Sequence, residues 1–375
     1  MEEDDGAPVL VGRVGRGVPP ETVREMRLAS ADDPALAQAL TSRQPQLVED
    51  LTKSRVPFQR QLAERWGMQS YMVTPLVARD RVIGVLYLDS ASVGARLTST
   101  RVGALETLAM EAAMAIYNAK LYKDLEDKRR MEEQLARARE IQQTLLPPPV
   151  RDRGFVLACG WSLPCYEIGG DYFDYFDLDG DRLGFTLGDV AGKGISAALL
   201  ASLVQGLFSA QGHFDAPLES IVASINRTLA LRGDGSRFVT SFFGVLSPDG
   251  SCRYVNAGHN PPILLRRDGS LEQLTAGGMV LGLFAGEQYR SSCARFGPGD
   301  RLVLFTDGAV DALGASGKEF GLDRLISVLR SHARLPAPEM LALTQAAVLD
   351  YSEGVPQADD ITLLVLEFRG PGPRP

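Results

Sequence analysis

Aspartates stand at the ends of apolar, strand-like runs that lie far apart in this sequence. Asp189 closes Arg182-Leu-Gly-Phe-Thr-Leu-Gly, and Asp307 closes Arg301-Leu-Val-Leu-Phe-Thr. Asp359 and Asp360 directly precede Ile361-Thr-Leu-Leu-Val-Leu-Glu-Phe368, and Asp171 follows the glycine pair Gly169-Gly170. Strand ends are rigid, so carboxylates carried there can be held at one point in space. Carboxylates gathered at one point repel each other unless cations sit between them. Hard divalent ions such as magnesium or manganese take such oxygen ligands. The pattern therefore predicts a carboxylate-lined metal site doing hydrolytic chemistry. The pairs Asp234-Gly235, Asp249-Gly250 and Asp268-Gly269 read only as turns.

Other chemistries find little support. The three histidines, His213, His259 and His332, are too few for a histidine-rich metal site, which leaves carboxylates as ligands. The four cysteines, Cys159, Cys165, Cys252 and Cys293, form no Cys-x-x-Cys pair and read as inert thiols. No Gly-x-Ser-x-Gly elbow occurs, and no cysteine is followed six positions later by arginine. Gly188-Asp-Val-Ala-Gly-Lys-Gly194 has the wrong spacing for a Walker phosphate loop. A net charge of −8 gives a nucleic-acid partner no electrostatic support. With 45% hydrophobic and 23% charged residues, the composition is that of a soluble globular protein. No stretch reaches the length of a membrane span, and the acidic N-terminus is no signal peptide, so the expected compartment is the cytoplasm.

Those carboxylates need a scaffold, and 375 residues suffice for two domains. Residues 1–118 read as one α/β unit. In it, Ser70–Ala78 and Val82–Asp89 form a hairpin around Arg79-Asp80-Arg81, and a helix follows from about Ser99. Residues 119–147 continue as a charged helix. Tyr117, Leu121, Asp124, Lys128, Met131, Leu135, Ala138, Gln142 and Leu145 follow heptad spacing, with three polar positions. The segment fits a solvated connecting helix and a short parallel coiled coil equally well. Pro147-Pro-Pro149 ends it, since proline supplies no amide donor. Residues 148–370 alternate short strands, turns such as Pro248-Asp-Gly250, and helices near 195–211, 217–231, 322–331 and 338–351. This predicts an α+β fold: an antiparallel β-sandwich with helices outside two packed sheets.

Six ordered motifs then suggest a family. They are Gly169-Gly-Asp-Tyr-Phe-Asp174, Gly188-Asp-Val-Ala-Gly-Lys-Gly194, Arg237-Phe-Val-Thr240, Asn256-Ala-Gly-His-Asn-Pro261, Thr306-Asp-Gly308 and Asp359-Asp-Ile-Thr362. Over about residues 140–369 the chain resembles the SpoIIE-type, protein phosphatase 2C-like bacterial serine/threonine phosphatases. Residues 70–118 resemble the later part of a GAF sensor domain, which implies a partial GAF domain that starts inside the fold. The phosphatase resemblance implies two metal ions per active site, Mn2+ or Mg2+, held between the sheets. Asp189 would bridge both, and the carbonyl of Val190 would bind one of them. Asp307 and Asp359 would hold the second metal, Asp171 the first through water, and Asp360 would orient its neighbour. An activated water would then attack phosphoserine or phosphothreonine without a protein nucleophile. Lys193 is a candidate contact for substrate phosphate, and His259 either a proton donor or a hydrogen-bonded loop residue. Asp311 stands where many members carry glutamate. The implied substrate is a phosphorylated STAS-type anti-anti-sigma factor, and a catalytically silent partner-binding regulator is the alternative. The GAF-like part contains neither histidine nor cysteine, which speaks against histidine-ligated haem and excludes a thioether-linked bilin. The heptad spacing predicts a homodimer through residues 117–145, with the pairing geometry setting phosphatase activity.

Overall fold

The computed structural model describes residues 2–4, 7–17, 19–90, 97, 102–212, 216–233 and 237–371. His213, the Asp234-Gly235 turn and the expected helix start at Ser99 lie outside these residues. The chain divides into two compact units, Met1–Met131 and Glu132–Pro375.

In the first unit, β1 (Glu2–Asp4), β2 (Ala7–Val11) and β3 (Arg27–Ala29) form one antiparallel sheet, with α1 (Pro20–Glu25) between the last two. A second sheet joins β4 (Gln46–Val48), β5 (Ser70–Ala78) and β6 (Arg81–Ser90). The β5–β6 hairpin turns at Arg79 and Asp80, both at positive φ (44° and 60°), as a tight two-residue turn requires. Two helices, α2 (Pro34–Ser42) and α3 (Pro57–Trp66), were not expected from the sequence. Each begins with proline, which suits a first turn and hides the helical period of so short a segment. Buried Asp33 caps α2 through the Ala35 amide and accepts the hydroxyls of Tyr71 (2.6 Å) and Tyr87 (2.8 Å), fastening the helix to the sheet. Strand β4 ends at Val48, and Leu51 begins a 3₁₀ turn capped by Asp50.

One helix, α4 (Val102–Leu145), runs unbroken through the segment expected to connect the domains. Leu121, Leu125 and Met131 are exposed on it.

In the second unit, the described residues build two six-stranded sheets. The first orders β15 (Gly277–Gly278), β12 (Ser251–Ala257), β11 (Val239–Leu246), β10 (Arg182–Val190) and β9 (Tyr172–Leu178), with β16 (Ser292–Arg295) also on β12. The second orders β14 (Leu271–Gln273), β13 (Ile263–Leu265), β17 (Arg301–Phe305), β18 (Ile361–Phe368), β8 (Val156–Leu163) and β7 (Val150–Asp152). All pairings except β12–β15 are antiparallel. Side chains alternate between faces. Leu183, Phe185, Phe242, Leu302, Leu364 and Leu366 point inward and form the core between the sheets. On one outer face, Tyr172, Val190, Phe243 and Val255 pack on α5 (Ile195–Gly212) and α6 (Leu218–Arg232). On the other, Val303, Phe305, Leu363 and Val365 pack on α8 (Leu322–Ser331) and α9 (Ala337–Tyr351). The predicted antiparallel sandwich with helices outside is thus observed. Fully burying one such phenylalanine or leucine contributes about 1.5–3 kcal/mol, which sets the register firmly.

Candidate metal centre

Strand alternation decides what lies at the end of the sandwich. In β10 the inward residues are Leu183, Phe185 and Leu187, so Asp189 is next in that row. In β9 they are Phe173 and Tyr175, so Asp171 precedes them. Leu302 and Leu304 of β17 lead to Thr306, while Asp360 and Thr362 precede Leu364 and Leu366 of β18. Antiparallel pairing brings the end of β10 beside the starts of β9 and β11, with Asp189 opposite Thr240 and Gly188 opposite Tyr172. The same holds in the other sheet, where the Thr306 amide donates to the Thr362 carbonyl (3.1 Å). The hydrocarbon core therefore gives way to acidic and hydroxyl side chains at one end of both sheets. Asp307 opens the short helix α7 (Asp307–Val310) just beyond β17.

Electrostatics show that the carboxylates feel one another. Burial, and then Asp307, Asp359 and Asp360, push Asp189 up to about 7. Burial and then Asp189 raise Asp171 well above the usual carboxylate range. Asp307 is raised by burial, then by Asp359 and Asp311. Each like-charged neighbour disfavours ionisation, which is the signature of a site suited to cations. The donor set is all oxygen, as magnesium and manganese prefer.

Protein donors hold these groups in distinct places. Asp360 is buried; it accepts the amides of Cys165 (2.6 Å), Gly170 (2.6 Å) and Asp171 (3.3 Å). The Thr306 hydroxyl donates to Asp171 (2.7 Å) and accepts the Thr362 amide (2.9 Å). Asp359 is half exposed and pairs with Lys193 at 3.2 Å. Among the described residues, no group of three or more acidic, histidine or cysteine side chains is arranged so that it could hold a metal ion. Like charges with separate donors stay apart.

Asp171, Asp189, Asp307 and Asp359 thus come to the same end of the sandwich. The Val190 side chain is buried on the outer face, but its carbonyl faces Gly170, where a Cβ would approach it to 3.1 Å. Lys193 meets a carboxylate and also donates to the Ala358 carbonyl. His259 is buried, pairs with the Thr240 hydroxyl at 2.9 Å, and is pushed down to about 4 by burial. It is neutral near pH 7, and its loop is closed by the Asn256 side chain, which accepts the His259 amide (2.7 Å) and donates to its carbonyl (3.0 Å). Of the two roles open to it, the structure favours the hydrogen-bonded loop residue. Asp311 lies close enough to raise Asp307, so the shorter acid keeps its charge at the site. Sequence reading passed over Thr306 and Gln142. Thr306 was detectable as the next inward position after Leu302 and Leu304, whereas Gln142 looked like a heptad position.

The sequence profile of Stage II sporulation protein E (SpoIIE) matches residues 179–369, more than half of the chain. The chain belongs to the SpoIIE family. Its C-terminal part carries the SpoIIE domain and has a protein phosphatase 2C-like fold. A GAF domain profile matches residues 4–116, ahead of the SpoIIE domain. The protein IcfG of Synechocystis sp. is 26% identical over 261 residues, covering 62% of this chain and 41% of IcfG. Phosphoserine phosphatase RsbU of Bacillus subtilis is 29% identical over 233 residues, covering 61% of this chain and 68% of RsbU. The SiaA PP2C domain of Pseudomonas aeruginosa shares the fold, with a TM-score of 0.56 at 22% identity over 64% of this chain and 98% of that domain. The chain therefore spans less than half of IcfG and about two thirds of RsbU. Among the described residues, no helix is long and apolar enough to cross a membrane.

Proposed function

We propose that this chain is a metal-dependent protein phosphatase that hydrolyses phosphoserine or phosphothreonine on a regulatory protein, a STAS-type anti-anti-sigma factor. The observation that carries the reading is the group of aspartates from both sheets that raise each other's proton affinity at one end of the sandwich. Asp189, Asp307 and Asp359, with Asp171 and the Val190 carbonyl, would hold two Mn2+ or Mg2+ ions. Bound there, the ions supply an activated water and neutralise charge on the phosphoryl oxygens. Asp360 fixes the Gly170–Asp171 backbone, and Thr306 fixes the orientation of the Asp171 carboxylate. Lys193, half exposed beside Asp359, would meet a substrate phosphate. RsbU carries the name phosphoserine phosphatase, which supports the same substrate class here.

The test is release of phosphate from a phosphorylated STAS-domain protein by the full chain, with manganese and with chelator. Turnover is expected to drop at least about tenfold with chelator and to return when manganese is restored. Turnover indifferent to metal would defeat the reading. Binding of the phosphoprotein without any turnover would instead mark a silent regulator.

The proposal extends to a homodimer through residues 117–145, with the GAF domain acting as sensor. Leu121, Leu125 and Met131 stand exposed on α4, where a second copy would cover them. Light scattering is expected to give a dimer mass at micromolar concentration. A fully active monomer would remove this part of the proposal.

A further inference from the structure

We propose that Gln142, near the end of α4, is a positioning residue for the loop that carries Asp171. The inference rests on the metal-dependent phosphatase reading and assigns that site a residue outside its acidic motifs. The Gln142 side-chain amide makes two reciprocal bonds with one residue. Its Nε2 donates to the Gly169 carbonyl at 2.8 Å, and its Oε1 accepts the Gly169 amide at 3.2 Å. Two bonds on opposite sides of one residue fix both the position and the tilt of that backbone.

The next residues pass the constraint inward. The amides of Gly170 and Asp171 donate to Asp360, and the Gly170 carbonyl accepts the Val190 amide at 3.3 Å. Gly169 cannot be secured by a side chain of its own. A Cβ there would lie 2.7 Å from an Asp360 oxygen. The loop must therefore be held from outside, and Gln142 holds its first residue. The helix end is itself tied down, because Gln205 of α5 donates to the Leu145 carbonyl at 2.7 Å and Leu146 packs on the sandwich core. Gln142 thus reaches the loop from a fixed base, and its contact lies two residues before Asp171 and one before Gly170, whose carbonyl accepts the Val190 amide.

A residue that only anchored the helix would change stability alone. A positioning residue changes how well the site takes up metal. Outer partners of metal ligands typically govern affinity by about 10–100-fold. Mn2+ binding to the full chain would be measured by titration calorimetry for wild type, Gln142→Met and Gln142→Glu. Phosphatase activity would be followed against manganese concentration in parallel. Gln142→Met keeps the length and loses both bonds, so its Mn2+ dissociation constant should rise about tenfold. Its turnover at saturating manganese should stay within about twofold of wild type, a split that a purely structural defect does not give. Gln142→Glu keeps the acceptor for the Gly169 amide and loses the donor, so affinity should also fall. It remains informative if Gln142→Met fails to fold. Wild-type Mn2+ affinity in a folded variant that has lost the donor would overturn the inference while leaving the phosphatase reading intact. A wild-type chain that takes up no Mn2+ would overturn that reading, and this inference with it.

Discussion

Asp189→Asn is expected to lower manganese-dependent turnover about 10³-fold, a loss of about 4 kcal/mol of transition-state stabilisation, while making the metal-free protein more stable. Both effects have one cause. Asp189 ends a strand that aims it into the sandwich beside Asp307, Asp359 and Asp360, and burial with that repulsion lifts it from the usual 3.8 to about 7. A carboxylate that is easier to protonate when folded contributes stability that is fully present below pH 3.8 and is lost as pH rises through 7. Above pH 7 the wild-type fold therefore bears the full cost of the charge. The shift corresponds to about 4 kcal/mol, and partial solvent access halves that to about 2 kcal/mol. Asparagine keeps the shape without the charge. In chelator at pH 8, Asp189→Asn should melt about 4–8 °C higher than wild type, and the difference should vanish near pH 4. Equal melting temperatures at pH 8 would mean that the carboxylates do not share one field, and the metal reading would lose its support.

How much of this was legible in the sequence follows from which faces each element covers. Residues 182–190 and 361–368 showed their apolar strands clearly, with the acidic residues at their ends. Strand β9 did not show itself, because it is covered on both faces. Phe173 and Tyr175 enter the inner core, while Tyr172 and Phe176 pack outward. Asp174 and Asp177 then interrupt the apolar run, and only the fold shows that Gln205 meets the first while Arg151 and Arg153 meet the second. Periodicity cannot report a contact between residues so distant in sequence. Gln142 illustrates the opposite failure. Its spacing fits a heptad, yet its partner is a loop backbone in the same chain.

Asp359 and Asp360 are adjacent letters that the family resemblance alone ranked, although strand parity ranks them too. Position 360 shares its face with Leu364 and Leu366, which are core residues, whereas the Asp359 side chain is half exposed against Lys193. The inward member should therefore be structural first. Asp360→Ala is expected to reduce stability by about 4 kcal/mol, because the Cys165, Gly170 and Asp171 amides would lose their acceptor at about 1–3 kcal/mol for each one left unsatisfied. Melting should fall by more than about 8 °C, and turnover should fall with it as the Asp171 loop comes loose. Asp360→Asn keeps one acceptor oxygen but turns an amide group toward the remaining donors, so it should lie between. Thermal melts in chelator check the sign. Two nearby aspartates, changed to uncharged residues, should move stability in opposite directions: Asp189 upward because its neighbours are carboxylates, Asp360 downward because its neighbours are amide donors. A wild-type melting temperature for Asp360→Ala would show that these amides find other partners, and the loop would not owe its position to this residue.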